Sequence, residues 1–317
     1  MDPKTDLKPR LSVILPAMRG YETVFAALDA WEAQTCRNQL EIIVLCPDLP
    51  APGVVWPGHV AIATGGLHLH HARAAAVERV TGDYVVFAED HCIPDPCWAK
   101  TVLARMSQGW DAVGPQLRPG NRTTPWAEAS FLLGYGQWMA LAGGGSSAAV
   151  PGHDVAMRTA WLRDIGPDLE HDLLVSAFLS RRMEREELRF YLDDRAGMRH
   201  FDVPDGKMAR RIFYSVGQGY GAVRAQAFPW IAKAMYWLAT PAIAARHLYR
   251  ALREYRRGGA QAGLAPRCLP ATAVLAVAWA CGESVGALRG MARVAPCLTI
   301  AEIKPVSRCD AALRTND

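Results

Sequence analysis

The chain of 317 residues lacks several features, and each absence narrows what it can do. It has no GxxxxGK(S/T) stretch, which excludes the phosphate-cradling loop of P-loop enzymes. Gly217-Gln218-Gly219-Tyr220-Gly221 misses the last glycine spacing of a dinucleotide fingerprint and follows no clear strand. The eight cysteines are scattered, and Cys92 and Cys97 have no second close pair to complete a structural zinc site. A net charge of +4 is too mild for the basic patch of a nucleic-acid binder, so no nucleic acid is expected as partner. The opening MDPKTDLKPR lacks the apolar core of a signal peptide, which leads us to expect a reducing cytosol and free thiols. Nor is there a long apolar run: Leu269 to Cys281 falls short of the roughly 20 residues that cross a bilayer.

What is present is a sizeable core and a regular alternation. Half the residues are apolar and 21% are charged, enough for a large α/β domain with an appendage. Short apolar runs predict strands at Leu11–Pro16, Glu41–Cys46, Val60–Thr64 and Tyr84–Ala88. Helical spacing over Tyr21–Trp31 and about Leu67–Val80 falls between them. Such alternation implies a parallel sheet with helices on both faces, and ligands at the carboxyl ends of its strands. Those ends are the loops after Pro16, Cys46 and Ala88. Gly143 to Ser147 reads as a mobile connector, and His68, His70 and His71 as loop and helix-face residues.

From about Phe228 the composition changes. Phe228 to Ala245 is apolar and aromatic, broken by Lys233 and Pro241, and Arg246, Arg250, Arg253, Arg256 and Arg257 follow at helical spacing. Trp and Tyr beside an Arg cluster suit helices lying in the headgroup region. The alternative is that these helices only pack on the rest of the chain. The expected division is a catalytic domain over 1–225 and a helical, membrane-associated segment over 226–317.

The stretch from Ala72 to Trp98, ARAAAVERVTGDYVVFAEDHCIPDPCW, carries the chemistry. An apolar strand ends in Glu89, Asp90 and His91, three consecutive residues able to bind a metal. Acidic groups at the end of a buried strand need compensation, and a divalent cation with a diphosphate supplies it. Oxygen ligands suit Mg²⁺ or Mn²⁺, and an imidazole tilts the choice to Mn²⁺. A solvated, capping turn is the plainer reading.

This region resembles the family 2 glycosyltransferases through Ala72, Arg73, Gly82, Asp83, Tyr84, Phe87, Asp90, Cys92, Pro94, Asp95, Pro96 and Trp98. Ser12 to Thr35 is similar to the family's first strand and helix, including Pro16 and the Gln34-Thr35 pair, and Pro151 to Gly166 to its acceptor-side segment. The resemblance covers about residues 10 to 225. It implies a GT-A-type, Rossmann-like mixed sheet flanked by helices. It also implies an inverting enzyme that moves a sugar from a nucleoside-diphosphate donor, such as a UDP-sugar, to an acceptor that is a lipid, saccharide or peptide.

The family's aspartate-X-aspartate is here Glu89-Asp90-His91, its aspartate pair after the second strand is Cys46-Pro47 with Asp48 one place late, and its asparagine after Arg73 is Ala74. The Gln-x-x-Arg-Trp of processive synthases is missing, so the resemblance implies transfer of one sugar at a time. It places Pro16, Ala17, Asp48 and Arg73 around the nucleotide and Glu89, Asp90 and His91 on metal and diphosphate, with His200 near the diphosphate. It leaves Asp172 and Glu170 as alternative general bases, with Asp172 favoured. The rival readings are a nucleotidyltransferase of the same fold and a non-catalytic sugar-nucleotide binder. The expected location is the inner face of the cytoplasmic membrane, held peripherally.

Overall fold

The computed structural model describes residues 8–51, 58–139, 144–147 and 149–302. The four expected strands form within a residue of their predicted bounds: β1 (Leu11–Pro16), β2 (Leu40–Cys46), β3 (His59–Ala63) and β4 (Tyr84–Phe87). The first helix opens as a 3₁₀ turn, Tyr21–Val24, before α1 (Phe25–Glu32). The second, α2 (Leu69–Val77), is shorter than its apolar spacing suggested. Gly65 and Gly66 ahead of it adopt φ of 59° and 83°, which delays the helix start.

By its contacts the chain divides into two compact units, residues 1–116 with 142–198, and residues 117–141 with 199–317. The first unit is built on the sheet. Its further strands are β5 (Cys92–Pro94), β6 (Ala112–Pro119), β7 (Gly145–Ser147), β8 (Ala156–Arg158) and β9 (Phe190–His200), in the order β3-β2-β1-β4-β8-β6-β9-β5 with β7 beside β9. The strands β3, β2, β1 and β4 run parallel. Alternation alone implied a parallel sheet throughout; instead β8 pairs antiparallel with both β4 and β6, giving the mixed sheet that the resemblance implied. Gly145 to Ser147, expected as a mobile connector, form β7 by pairing with β9, while Gly143 lies outside the described residues.

The residues of β1 and β4 are buried throughout, which is why these strands read as apolar runs without alternation. The helices of this unit include α3 (Trp98–Met106), α5 (Thr159–Asp164), α6 (Leu169–Asp172) and α7 (Ser176–Arg185). Gln34 explains its place in the motif. Its amide donates to the carbonyl of Asp95 at 2.9 Å, and its oxygen accepts from the N–H of Ala99 at 2.9 Å, so the end of α1 fixes the start of α3. Trp31 and Trp98 meet edge-to-face at 5.1 Å beside it. Gly82 is required for a different reason: a Cβ there would lie 2.7 Å from Ser12 Oγ.

The second unit is helical. It contains α4 (Pro125–Tyr135), α8 (Gly206–Arg224), α9 (Trp230–Leu238), α10 (Thr240–Glu254), α11 (Cys268–Arg289) and α12 (Met291–Glu302). The glycine-rich run of residues 217–221 is a helix-packing surface. Gly217 and Gly221 on α8 lie against backbone carbonyls of Trp279 and Glu283, and Gly282 and Gly286 on α11 lie against those of Tyr214 and Gln218. Two small-xxx-small stripes therefore let two helix backbones touch. The apolar run judged too short to cross a bilayer belongs to a longer helix. Residues 282 to 289 extend α11 to 22 residues, and α11 is long and apolar enough to cross a membrane by length and composition. Here 56% of its most apolar window is buried, and Glu283 sits within it as a buried acceptor for Arg224, Tyr236 and His247, each at 2.6 Å.

Candidate active site

The site grows from the carboxyl end of β4. The N–H of Ala88 still bonds to Ile14 at 3.0 Å, and the chain then leaves the sheet with Glu89, Asp90 and His91. His91 is buried between its neighbours, with Nδ1 2.7 Å from Asp90 Oδ1 and Nε2 3.0 Å from Glu89 Oε2. Arg19, from the loop after β1, reaches Asp90 at 3.4 Å. Arg73 on α2 is buried, lies 5.7 Å over the ring of Phe87, and donates to the carbonyl of Ala88 at 3.3 Å.

A second segment completes the group. Because β8 pairs with β4, the loop that leads into β8 ends beside Glu89, and the N–H of Asp154 donates to Phe87 at 2.8 Å. His153 Nδ1 lies 2.6 Å from Asp154 Oδ2 and 3.5 Å from Glu89 Oε2. The Cys92 thiol donates to Glu89 at 3.6 Å. Donor atoms of Glu89, Cys92, His153 and Asp154 all lie within 4.8 Å of one another, an arrangement able to hold a metal ion.

Two properties of Asp154 fit a cation there. Its Oδ1 is buried and has no hydrogen-bond partner, a costly state for a carboxylate oxygen in the absence of a counter-charge. Its backbone adopts φ of 57°, the left-handed region that non-glycine residues avoid and that recurs at functional sites. Two carboxylates, an imidazole and a thiol form a mixed oxygen, nitrogen and sulfur donor set suited to a divalent transition-metal ion.

The other expected residues are placed as follows. Pro16 and Ala17 are buried at the end of β1, where the N–H of Ala17 donates to Leu45 at 2.7 Å. Asp48 is exposed in the turn after β2. Glu170 and Asp172 share α6 but have different partners. Glu170 is exposed and 2.8 Å from His71, whereas Asp172 is buried and ion-paired with Arg182. That pairing strengthens the hold of Arg182 on its proton. His200 belongs to the second unit, buried, with Nδ1 2.9 Å from Asp202 and its ring 4.0 Å from Tyr135. His68, His70 and His71 form a ring cluster on α2 and the residue before it, with centroids of His70 and His71 4.0 Å apart. Burial, with the charges of His71 and His68, pushes the His70 pKa down to about 4.

Sequence reasoning missed His153 and Asp154. They form an adjacent pair inside the segment assigned to the acceptor side, and only the pairing of β8 with β4 carries them to Glu89.

The mixed α/β sheet thus gathers carboxylates and imidazoles at the end of its central parallel strand. The model for glycosyl transferase family 2 matches residues 57–166, the stretch that holds Arg73, Glu89, His91, His153 and Asp154. No curated protein matches the chain. Among solved structures, the crystal structure of GalNAc-T7 with UDP, GalNAc and Mn2+ superposes with a TM-score of 0.47 at 14% identity. That alignment covers 72% of this chain and 52% of the other, so this chain spans about half its length.

Proposed function

We propose that the protein is an inverting glycosyltransferase that moves one sugar from a nucleoside-diphosphate donor, such as a UDP-sugar, to an acceptor hydroxyl. The observation that carries this reading is the convergence of Glu89, Cys92, His153 and Asp154 around the unpartnered Oδ1 of Asp154. These side chains would hold a divalent cation, Mn²⁺ in preference to Mg²⁺, which would supply positive charge against the diphosphate leaving group. Asp90 and His91 orient Glu89, since His91 bridges both carboxylates. Arg73 and Arg19 supply fixed positive charge beside the same strand end. Pro16, Ala17 and Asp48 border the nucleotide.

The proton of the acceptor goes to a carboxylate of α6. Asp172 is the first choice, because Arg182 holds its carboxylate in one orientation. Glu170 is the second reading, favoured by its exposure and by His71 at 2.8 Å. The enzyme works at the inner face of the cytoplasmic membrane, in keeping with the aromatic and arginine-rich helices of residues 226–317. That stretch is the membrane-associated segment, and residues 1–225 carry the catalysis.

The test is thermal stabilisation by UDP with and without Mn²⁺. Wild type is expected to gain stability from the pair together, and Asp154→Asn and His153→Ala are expected to lose that increment. Retention of the full increment in both variants would remove this cluster from the metal site. Wild-type binding of UDP without hydrolysis of any nucleotide-sugar would instead support a non-catalytic binder. Release of diphosphate from a nucleoside triphosphate would support the nucleotidyltransferase.

A further inference from the structure

The helix α9 has an unusual surface for a protein in water. It is nine residues long, and none of its residues is buried. Trp230 is 76% exposed, Ile231 57%, Met235 66%, Trp237 52% and Leu238 70%, with Phe228 exposed just before it. Isolated helices of this length are unstable in water, so α9 needs support from what it touches. On its inner side the support is narrow. The Tyr236 hydroxyl donates to Glu283 at 2.6 Å and accepts from Arg224 at 2.8 Å. The large apolar side chains all face outward, and a contiguous exposed patch of this kind marks a surface that meets a partner.

The charge around it identifies the partner's chemistry. From residue 226 to 260 the chain carries six basic residues, Lys233, Arg246, Arg250, Arg253, Arg256 and Arg257, against the single acid Glu254. Glu254 is buried and already engaged by Arg253 and Arg257. Arg246, Arg256 and Arg257 are exposed. Burial, and after it the charges of Arg246 and Arg253, makes Arg250 hold its proton less tightly than usual. Along α10 the surface therefore passes from apolar, next to α9, to basic at its far end and in the π-helical turn Tyr255–Gly259. Apolar side chains with two tryptophans, followed by arginines, match the layering of acyl chains, interface and anionic headgroups.

We infer that α9 is the lipid-contacting element of this protein, inserted flat into the interface of an anionic bilayer while the arginines of α10 and its π-helical turn bind the headgroups. The inference deepens the proposed membrane location by assigning the contact to α9 rather than to α11. The more apolar α11 is largely used inside the helical unit, through its glycine contacts with α8 and the buried Glu283.

The experiment is co-sedimentation of the full chain with vesicles of phosphatidylcholine alone or mixed with phosphatidylglycerol. Binding is expected only to the anionic vesicles and is expected to weaken as salt rises. Trp230→Ala with Trp237→Ala should lower partitioning about tenfold or more, since two large interfacial side chains are lost. Arg246→Gln with Arg256→Gln and Arg257→Gln should remove the preference for anionic lipid. All these positions are exposed, and circular dichroism checks that each variant folds. The inference is overturned if wild type stays in the supernatant with anionic vesicles, or if the double tryptophan variant sediments as wild type does. It is also overturned if light scattering shows a dimer that the tryptophan variant dissolves, which would make the face an interface between copies. Mn²⁺-dependent stabilisation by UDP, measured without vesicles, should be unchanged in these variants. Its absence in a wild type that still sediments defeats the glycosyltransferase reading and leaves the lipid surface standing.

Discussion

Asp172 and Glu170 are two residues apart on α6, so they point about 200° from each other and cannot both face one acceptor hydroxyl. Their surroundings differ as sharply. Asp172 is buried with Arg182, and Glu170 lies in water beside His71. Loss of a general base costs about 10²–10⁴-fold in rate and leaves donor binding intact. Asp172→Asn is therefore expected to abolish sugar transfer while still binding UDP with Mn²⁺, and Glu170→Gln to stay within a few-fold of wild type. Stability must be measured in the same variants, because removing one partner of a buried ion pair is itself destabilising. If Asp172→Asn unfolds or transfers normally while Glu170→Gln loses transfer, Glu170 is the base and Asp172 serves the fold. Tertiary contacts separated the two environments, which the local sequence Leu169-Glu170-His171-Asp172-Leu173 does not show.

At the scale of elements, the contact between α8 and α11 decides the helical unit. Gly217, Gly221, Gly282 and Gly286 each meet a backbone atom of the facing helix, and backbone has no room to give. Gly221→Ala is expected to lower stability by about 1–3 kcal/mol or more, as overpacking of a close contact does. Gly134→Ala on α4 is the control, since a Cβ there meets only Phe213 at 3.8 Å. It should be neutral or gain up to about 1 kcal/mol from helix propensity. Urea unfolding of the full chain measures both, and equal midpoints for the two variants would mean the close crossing is absent. The same contact explains why residues 217–221 carry glycines without being a nucleotide fingerprint: the spacing serves a helix crossing.

For the molecule as a whole, the buried titratable groups set a direction for stability against pH. Burial, with the charges of His71 and His68, holds the His70 pKa down at about 4 in the folded chain, against an ordinary 6.5. Between those values the unfolded chain binds the extra proton, so stability falls as pH drops from 6.5 towards 4. Glu283 titrates below its ordinary 4.5. Burial raises it, but hydrogen bonds from His247 and Tyr236 and the charge of Arg224 outweigh that effect. Its contribution is present above 4.5 and lost as pH falls below that value. Acid should therefore destabilise the protein in two stages. His70→Gln is expected to flatten the melting temperature between pH 6.5 and 4.5 and to leave the lower stage intact. An unchanged upper slope in that variant assigns it to another group.

The sequence by itself determined the four parallel strands of the sheet and the first group of site candidates, Glu89, Asp90 and His91. Fully buried strands must be apolar, and a buried strand that ends in Glu89-Asp90-His91 announces a place where charge is compensated; neither depends on what lies far along the chain. The second group was decided in three dimensions. His153 and Asp154 enter the site because β8 lies antiparallel against β4, and pairing between distant strands leaves no local periodicity to read. The two apolar runs of residues 226–317 were likewise separated only by packing. Glycine contacts and a buried Glu283 draw α11 inward, while α9, with comparable composition, is left outside with its tryptophans exposed. Composition fixes how much apolar surface an element has, and only the neighbours it meets fix which part of that surface is covered.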